Sequence, residues 1–232
     1  MNEAAALPRL LRHLAVLYPA PDEVLVVDGG STDGTPALAR AGGLCVVEHR
    51  VPGRAAAVNF GVRQVSAPLV CVLPADTLLP DDAVAVIRTA MADARTALAG
   101  FTPLMSGRDG VRWGTSLHNL VKTWYGPLLF RPWLFLRGGR LLFGDHAMFF
   151  RRADFLEVGG CDETLDLMDD ADLCVRMTRL GRVRLVNHVV VTSDRRVAAM
   201  GAARANWAFV RISALWALGR RRNLRRGYPD AR

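Results

Sequence analysis

The sequence predicts an α/β protein with a Rossmann-like, mostly parallel sheet and helices on both faces. Three observations carry that prediction. Residues 23–94 alternate short apolar runs with helix-like stretches, as a doubly wound sheet requires. The run at 24–27 passes directly into a glycine-rich turn, Asp28-Gly29-Gly30-Ser31-Thr32-Asp33-Gly34, and then into Thr35-Pro36, a good helix start. A later run at 69–73 ends in Pro74-Ala75-Asp76. Both runs therefore place acids at the carboxyl edge of the sheet, where open α/β folds bind ligands.

The elements follow in order. A helix is expected over 4–17, with Leu7, Leu10, Leu11 and Leu14 at helical spacing. Strand 23–27 leads through the turn to helix 36–40, which Gly42-Gly43 stops. Strand 44–47, loop 49–53, helix 54–65, strand 69–73 and helix 82–94 complete the regular half, with right-handed crossovers. The second half is less periodic. It reads as strand 97–101, helix 111–125, a loop over 128–140, a strand edge at 144–151 and helix 152–158 ending at Gly159-Gly160. Helix 170–180 with Gly181 as its cap, strands 183–186 and 189–191, and a long apolar helix over 198–218 follow. The expected division is a catalytic-type domain over 1–197, with a C-terminal helix and basic tail over 198–232 on or beside it.

The 232 residues are enough for one domain with a substantial core, and 51% hydrophobic content excludes a disordered chain. The net charge is +8 and the pI about 10.3. Lys122 is the only lysine, so much of the basicity reflects an arginine-biased composition. What remains suits anionic partners: nucleotide diphosphates, acidic lipid headgroups or nucleic acid. Cys45, Cys71, Cys161 and Cys174 show no CxxC spacing, and Cys45 and Cys71 sit in apolar runs that read as core. A reducing, cytoplasmic setting without a zinc site is expected. No run approaches the roughly 18 apolar residues of a spanning helix. The stretch at 125–143 is broken by prolines, arginines and glycines.

The motifs carry acids where chemistry needs them. The turn at 28–34 has neither GxGxxG nor GxxxxGK[ST], which argues against a phosphate cradle. Asp28 and Asp33 can instead accept hydrogen bonds from a base or ribose, or simply form a turn. Asp76 is a hard ligand suited to Mg²⁺ or Mn²⁺ held jointly with a diphosphate, or a turn former before Pro80. Arg54 and Asn59 share a helix that follows Gly53, so Arg54 can meet a phosphate or base edge; a surface arginine and a capping asparagine is the alternative. Leu167–Leu173 reads LMDDADL. Helix capping accounts for one or two of its acids, but Asp169, Asp170 and Asp172 together form a crowd that raises carboxyl pKa values, as a general base needs. Gly144-Asp145-His146 holds a lone histidine of structural type. Arg195 and Arg196 follow a strand and can meet a leaving diphosphate or remain solvated.

The string DGGSTDGT resembles the DGSxDGT motif of family 2 glycosyltransferases, which have the GT-A fold. The resemblance implies a donor site made by Asn2, Glu3, Asp28, Ser31, Asp33, Arg54, Asn59, Asp76, Arg195 and Arg196. It implies that Asp28 binds the base and that Asp76 is the surviving acid of an Asp-x-Asp metal motif. It also implies Asp170 as catalytic base, with Asp169 in place of the family's Glu, and Gly144, Asp145 and His146 beneath the sugar and acceptor. The cofactor implied is Mg²⁺ or Mn²⁺, the donor a UDP- or GDP-sugar, and the reaction metal-dependent, inverting transfer of a hexosyl-type group to an unspecified hydroxyl. The motifs GD-x-A-x-F-x-RR, LM[ED]D, TS-x-RR, Asn206-Trp207 and a final Tyr228-Pro229-Asp230-Ala231-Arg232 are similar to the bacterial subgroup named for arsenosugar biosynthesis.

Two other classes stay open: a non-catalytic nucleotide-sugar binding protein, since the first acid of the metal motif is absent, and a nucleic-acid-binding protein. The acids in the motifs would repel nucleic-acid phosphates. The 198–218 helix, with Trp207 and Trp216, precedes Arg220, Arg221, Arg222, Arg225 and Arg226. With the 130–143 loop it suits peripheral attachment to an anionic membrane's inner face; a core-packed helix is the alternative. In this family the chain opens with a strand that ends in Asn-Glu, and here only Asn2-Glu3 remains. The sheet is therefore expected to lack its first central strand and to gape between strands 23–27 and 69–73. The natural chain is expected to begin about eight to ten residues upstream.

Overall fold

The computed structural model describes residues 1–108, 110–219 and 224. The run is α1 (Leu7–Leu14), β1 (Leu25–Asp28), α2 (Thr35–Ala41), β2 (Cys45–Glu48), α3 (Arg54–Gln64), β3 (Leu69–Cys71), β4 (Thr77–Leu78) and α4 (Ala83–Ala92). It continues with β5 (Thr96–Gly107), β6 (Gly110–Val111), α5 (Trp113–Phe130), α6 (Pro132–Leu136), a 3₁₀ turn (Gly144–His146), β7 (Phe149–Arg151) and α7 (Arg152–Glu157). Then come α8 (Asp169–Met177), β8 (Arg182–Ser193), α9 (Arg195–Met200) and α10 (Ala202–Ala217). Among the described residues no helix is long and apolar enough to cross a membrane.

The strands form two sheets. β1 and β2 pair in parallel by themselves, Leu25 opposite Cys45 through Asp28 opposite Glu48. The larger sheet has the order β3-β7-β5-β8-β4, with β6 hairpinned onto β5. The expected gap is therefore present: β1 and β3 share no ladder. The pairing corrects the expectation of a mostly parallel sheet. Among the described residues only β1–β2 and β5–β8 are parallel, and β7 runs against both β3 and β5. The reason is local. β7 enters from the 3₁₀ turn at the carboxyl edge, not from a crossover helix, so it must run the other way.

Helices cover both faces. Successive residues of β5 and β7 point to opposite sides. Leu98 and Phe150 pack with Val62, Phe155, Leu173 and Met177. Ala99, Phe101 and Phe149 pack with Ala83, Ile87 and Met91 of α4.

Several elements differ from expectation for identifiable reasons. The strands expected at 183–186 and 189–191 are one strand, β8. A bulge absorbs the intervening residues, since Gly100 pairs Leu185 and Thr102 pairs Val189. The loop expected over 128–140 contains the end of α5 and all of α6. Pro127 lies inside α5. A proline leaves the carbonyl four residues back without its helical donor. Here that carbonyl, of Thr123, accepts from the Leu141 N–H at 3.5 Å. The 198–218 helix is broken at Gly201, which has φ +80°. Trp216 is not a membrane anchor: it is buried in the main core beside Ile212. Cys45 is exposed, because β2 is an edge strand with solvent on one face; Cys71, on β3, is half-buried against the core beside α4, and Cys161 and Cys174 are buried. The arginines at 220, 221, 222, 225 and 226 and the final five residues lie outside the described residues.

Candidate functional site

Chain direction gathers the expected residues at one edge of the larger sheet. Asp76 follows the carboxyl end of β3. β7 is antiparallel to β3, so Gly144–His146, just before β7, reaches the same edge. β5 is antiparallel to β7 and parallel to β8, so Ser193 and Arg195 arrive there too.

The first cluster is built on the β1 turn. Asp28 is buried, and its carboxylate accepts from the Gly30 and Ser31 amides at 3.0 and 2.8 Å and from the Ser31 hydroxyl at 2.6 Å. Burial opposes its charge, but the Ser31 and Gly30 hydrogen bonds outweigh that and hold its pKa below the usual range. The segment from Asn2 to Ala4 is zipped onto this turn. The Asn2 amide donates to Ser31 Oγ at 2.8 Å, Asn2 Oδ1 accepts from Thr32 at 2.9 Å, and the Ala4 amide donates to Asp33 at 2.9 Å. The Thr35 hydroxyl also donates to Asp33, and with the Ala4 amide it lowers that carboxyl's pKa.

Glu3 connects this cluster to the larger sheet. One guanidinium nitrogen of Arg195, Nη2, donates to both carboxylate oxygens of Glu3 at 2.9 and 2.8 Å and to Asp76 Oδ2 at 2.8 Å. Two half-exposed carboxylates thus converge on a single cation. That donor set fits a hard divalent cation, which needs one or two carboxylates when diphosphate oxygens supply the remainder. Among the described residues no three His, Cys, Asp or Glu side chains converge as a complete metal cage.

The second cluster surrounds the start of α8. Arg54, the first residue of α3, donates from Nη1 to Asp169 Oδ2 at 2.6 Å and lies 3.8 Å from Asp170 Oδ2. Asp170 accepts from the Gly144 amide at 2.7 Å and from the Ala171 amide at 2.8 Å. Burial, then the neighbouring Asp169 charge, raises its pKa to about 6, against the opposing pull of Arg54. Asp145 pairs with Asn119 Nδ2 and with His146 Nδ1. Burial opposes its charge, but His146, Lys122 and Asn119 hold its pKa well below the carboxylate range. His146 is fully buried, its Nε2 3.2 Å from the Thr123 hydroxyl.

The backbone is unusual at these same places. Among the described residues, three non-glycines take left-handed φ values: Asn2 (57°), Ala147 (43°) and Met168 (69°). Each is in or next to an expected site residue. Such conformations cost about 1–3 kcal/mol and cluster at functional sites.

Not every expected residue joins these clusters. Asn59 is buried and fully occupied elsewhere. Its amide nitrogen donates to the Cys161 carbonyl and to Glu163, and its oxygen accepts from the Cys161 amide at 2.7 Å. It clamps the Gly159-Gly160 turn that leads towards α8. The side chain of Arg196 lies outside the described set. Sequence reasoning missed Asn119, Lys122 and Thr123, which reach the Phe143–His146 loop from α5. Their signal was a polar face at helical spacing: Thr115, Ser116, Asn119, Lys122 and Thr123.

Residues 1–159 match the family model described as glycosyl transferase family 2. The chain belongs to that family. Two of the curated relatives it matches are uncharacterized glycosyltransferases of Mycobacterium bovis and Mycobacterium tuberculosis, each 40% identical over 76 residues. The match spans 33% of this chain and 33% of each relative. Among solved structures, a Pyrobaculum calidifontis mannosyltransferase in complex with GDP-Man and Mn²⁺ is similar at TM-score 0.66 and 20% identity. That likeness covers 94% of this chain and 61% of that one. Glucosyl-3-phosphoglycerate synthase of Mycobacterium tuberculosis, with Mn²⁺ and UDP-glucose, is similar at TM-score 0.59 and 19% identity, covering 94% and 76%. The family's fold, with a curled mixed sheet, is the GT-A fold of these neighbours.

Proposed function

We propose that this family 2 chain is an inverting, divalent-metal-dependent hexosyltransferase that uses a UDP- or GDP-sugar, with Asp170 as its base. The observation that carries this is the state of Asp170. It is a buried carboxylate, aimed by the Gly144 and Ala171 amides, with a pKa near 6. Such a group is charged at neutral pH yet avid for a proton. It takes the proton of the acceptor hydroxyl as that oxygen bonds to the anomeric carbon. The bond from that carbon to the diphosphate breaks on the opposite face, and the diphosphate leaves with the electron pair. Asp76, with Glu3 beside it, would hold a divalent cation whose charge stabilises that diphosphate. Arg195 is placed to do the same once it turns from the two acids. Arg54 fixes Asp169 and so keeps Asp170 in place. The neighbours bound to GDP-Man or UDP-glucose support the donor class. The likeness to the arsenosugar subgroup names no acceptor, and we assign no arsenic chemistry from it.

The test pairs Asp170→Asn with the parent chain. Donor hydrolysis or transfer in the presence of Mn²⁺ should fall by about two orders of magnitude or more. UDP or GDP binding, read by thermal shift, should persist. Product with retained anomeric configuration, or activity indifferent to chelator and to Asp76→Ala, would overturn the inverting, metal-dependent assignment. A chain that binds nucleotide-sugar but never turns it over is instead a binding protein.

A second proposal concerns location. α5 exposes Trp113, Leu117, Val121, Trp124 and Leu128 along one face, and α6 adds Trp133 and Leu136. The Arg140 guanidinium stacks 4.2 Å from the Trp124 ring centre. A tryptophan-rich apolar stripe with Arg140 beside it, on a chain of charge +8, suits an anionic bilayer surface. We propose peripheral attachment of this face.

A further inference from the structure

Helix α5 is built inside out. A surface helix normally turns its apolar stripe to the core and its polar face to water. Here the outward face is the apolar stripe, and Thr115, Ser116, Asn119, Lys122 and Thr123 are buried. Three of these inward groups have protein partners. The Ser116 hydroxyl accepts from the Met105 amide, Asn119 donates to Asp145, and the Thr123 hydroxyl meets His146. The Lys122 side chain is 5% exposed, and the described neighbours of its ammonium are ring faces. Nζ rests 3.7 Å from the centre of the Phe143 ring and 4.9 Å from that of Phe209.

Burying so much of a charged side chain is costly, and ring faces return only part of the hydration lost. The nearby acids have other partners. Asp145 is engaged by Asn119 and His146, and Asp170 by the Gly144 and Ala171 amides. Their charges favour the cation without a hydrogen bond to it among those of the described residues. Burial lowers the Lys122 pKa, and Asp145 and Asp170 oppose that shift. The place is specific. Phe143, under the ammonium, is followed by Gly144, whose amide holds the Asp170 carboxylate.

We propose that Lys122 is the anion-binding residue of an acceptor subsite, taking a phosphate or carboxylate group carried close to the acceptor's reacting hydroxyl. This rests on Asp170 being the base of a transferase. In an inverting displacement the base lies on the acceptor's side, opposite the leaving diphosphate. Arg195 and Asp76 serve the diphosphate end; Lys122 belongs to the other. Lysine suits the task, since it offers a compact charge with three donors on a flexible stem.

The experiment saturates the 232-residue chain with UDP or GDP and Mn²⁺, so that the donor's phosphate site is filled. Inorganic phosphate is then titrated calorimetrically. Lys122→Met should weaken phosphate binding by about tenfold or more, the worth of a lost charge-assisted hydrogen bond. Lys122→Arg should keep most of it. Since Lys122→Met replaces a buried charge packed on ring faces with an apolar chain of similar size, the free variant should melt no lower than the parent. A parent that binds nucleotide but no phosphate overturns the subsite and leaves the transferase assignment standing. A parent that binds no nucleotide overturns both. Equal phosphate affinity in Lys122→Met, with a lower melting temperature, marks a structural lysine and overturns the proposal. Displacement of phosphate by glycerol 1-phosphate indicates a soluble acceptor, and displacement by phosphatidic acid vesicles a lipid headgroup. Displacement by neither overturns the acceptor assignment.

Discussion

Asp170 is a carboxyl group that the fold makes reluctant to ionise. Burial is the first cause and the adjacent Asp169 charge the second, and together they place its pKa near 6. The native state therefore holds this proton more tightly than the unfolded chain does. That costs stability as pH rises from the ordinary carboxylate range towards 6. Activity should move the other way, since the base works only when ionised: turnover is expected to rise through about pH 6 and level off above it. Asp169→Asn removes the second cause and frees Arg54 to turn to Asp170. The acidic limb of the pH–rate profile should then move to lower pH. A limb that stays in place would show that another group governs it. The crowding behind this shift was legible in LMDDADL, because three acids exceed what a helix start needs. The counter-charge was not. Arg54 lies 115 residues from Asp169 in sequence, and only the packing of α3 against the Gly144 loop brings them together.

At the scale of elements, α5 shows what a sequence pattern conceals. Its existence was readable from length and spacing, but its inverted orientation was not. Hydrophobic periodicity locates a stripe without saying whether the core or something else covers it. The helix expected to end at 125 continues through Pro127, because Leu141 satisfies the carbonyl that the proline strands. Likewise Asn187-His188 read as a break and proved to be a bulge in β8. If the outward stripe meets a bilayer, Leu117→Ser with Leu128→Ser should weaken co-sedimentation with phosphatidylglycerol vesicles. The melting temperature should hardly change, because both side chains are already exposed. Binding that survives the double substitution, or is absent in the parent at low salt, would remove this face as a membrane contact.

Over the whole molecule, the division into two sheets sets how stability is distributed. β5 and β8 pair along 12-residue strands in the centre of the larger sheet, whereas β1 and β2 are four residues each and pair only with one another. The small sheet is tied to the rest through the core of Leu7, Leu10 and Ala39 with Leu78, and through the Glu3–Arg195–Asp76 link. The alternating runs of the first half made β1, β2 and β3 legible, but the assembly of the larger sheet around β5, β7 and β8 was not. The link was not foreseeable, since it depends on β8 ending beside Asp76. Short strands with one partner open at lower free energy than a doubly paired centre. Amides of β1 and β2 should therefore exchange hydrogen well before those of β5 and β8 in the free protein. A nucleotide held by the Asp28 turn on one sheet and by Asp76 and Arg195 on the other would join the two. At a hundred times its dissociation constant it should add about 2.7 kcal/mol of stability. Much of the added protection should fall on β1 and β2. Disrupting the link with Arg195→Ala should speed exchange in the small sheet of the free protein and leave β5 and β8 unchanged. Uniform exchange across both sheets, or nucleotide protection confined to β5 and β8, would show that the molecule opens as one unit and that the donor does not bridge its halves.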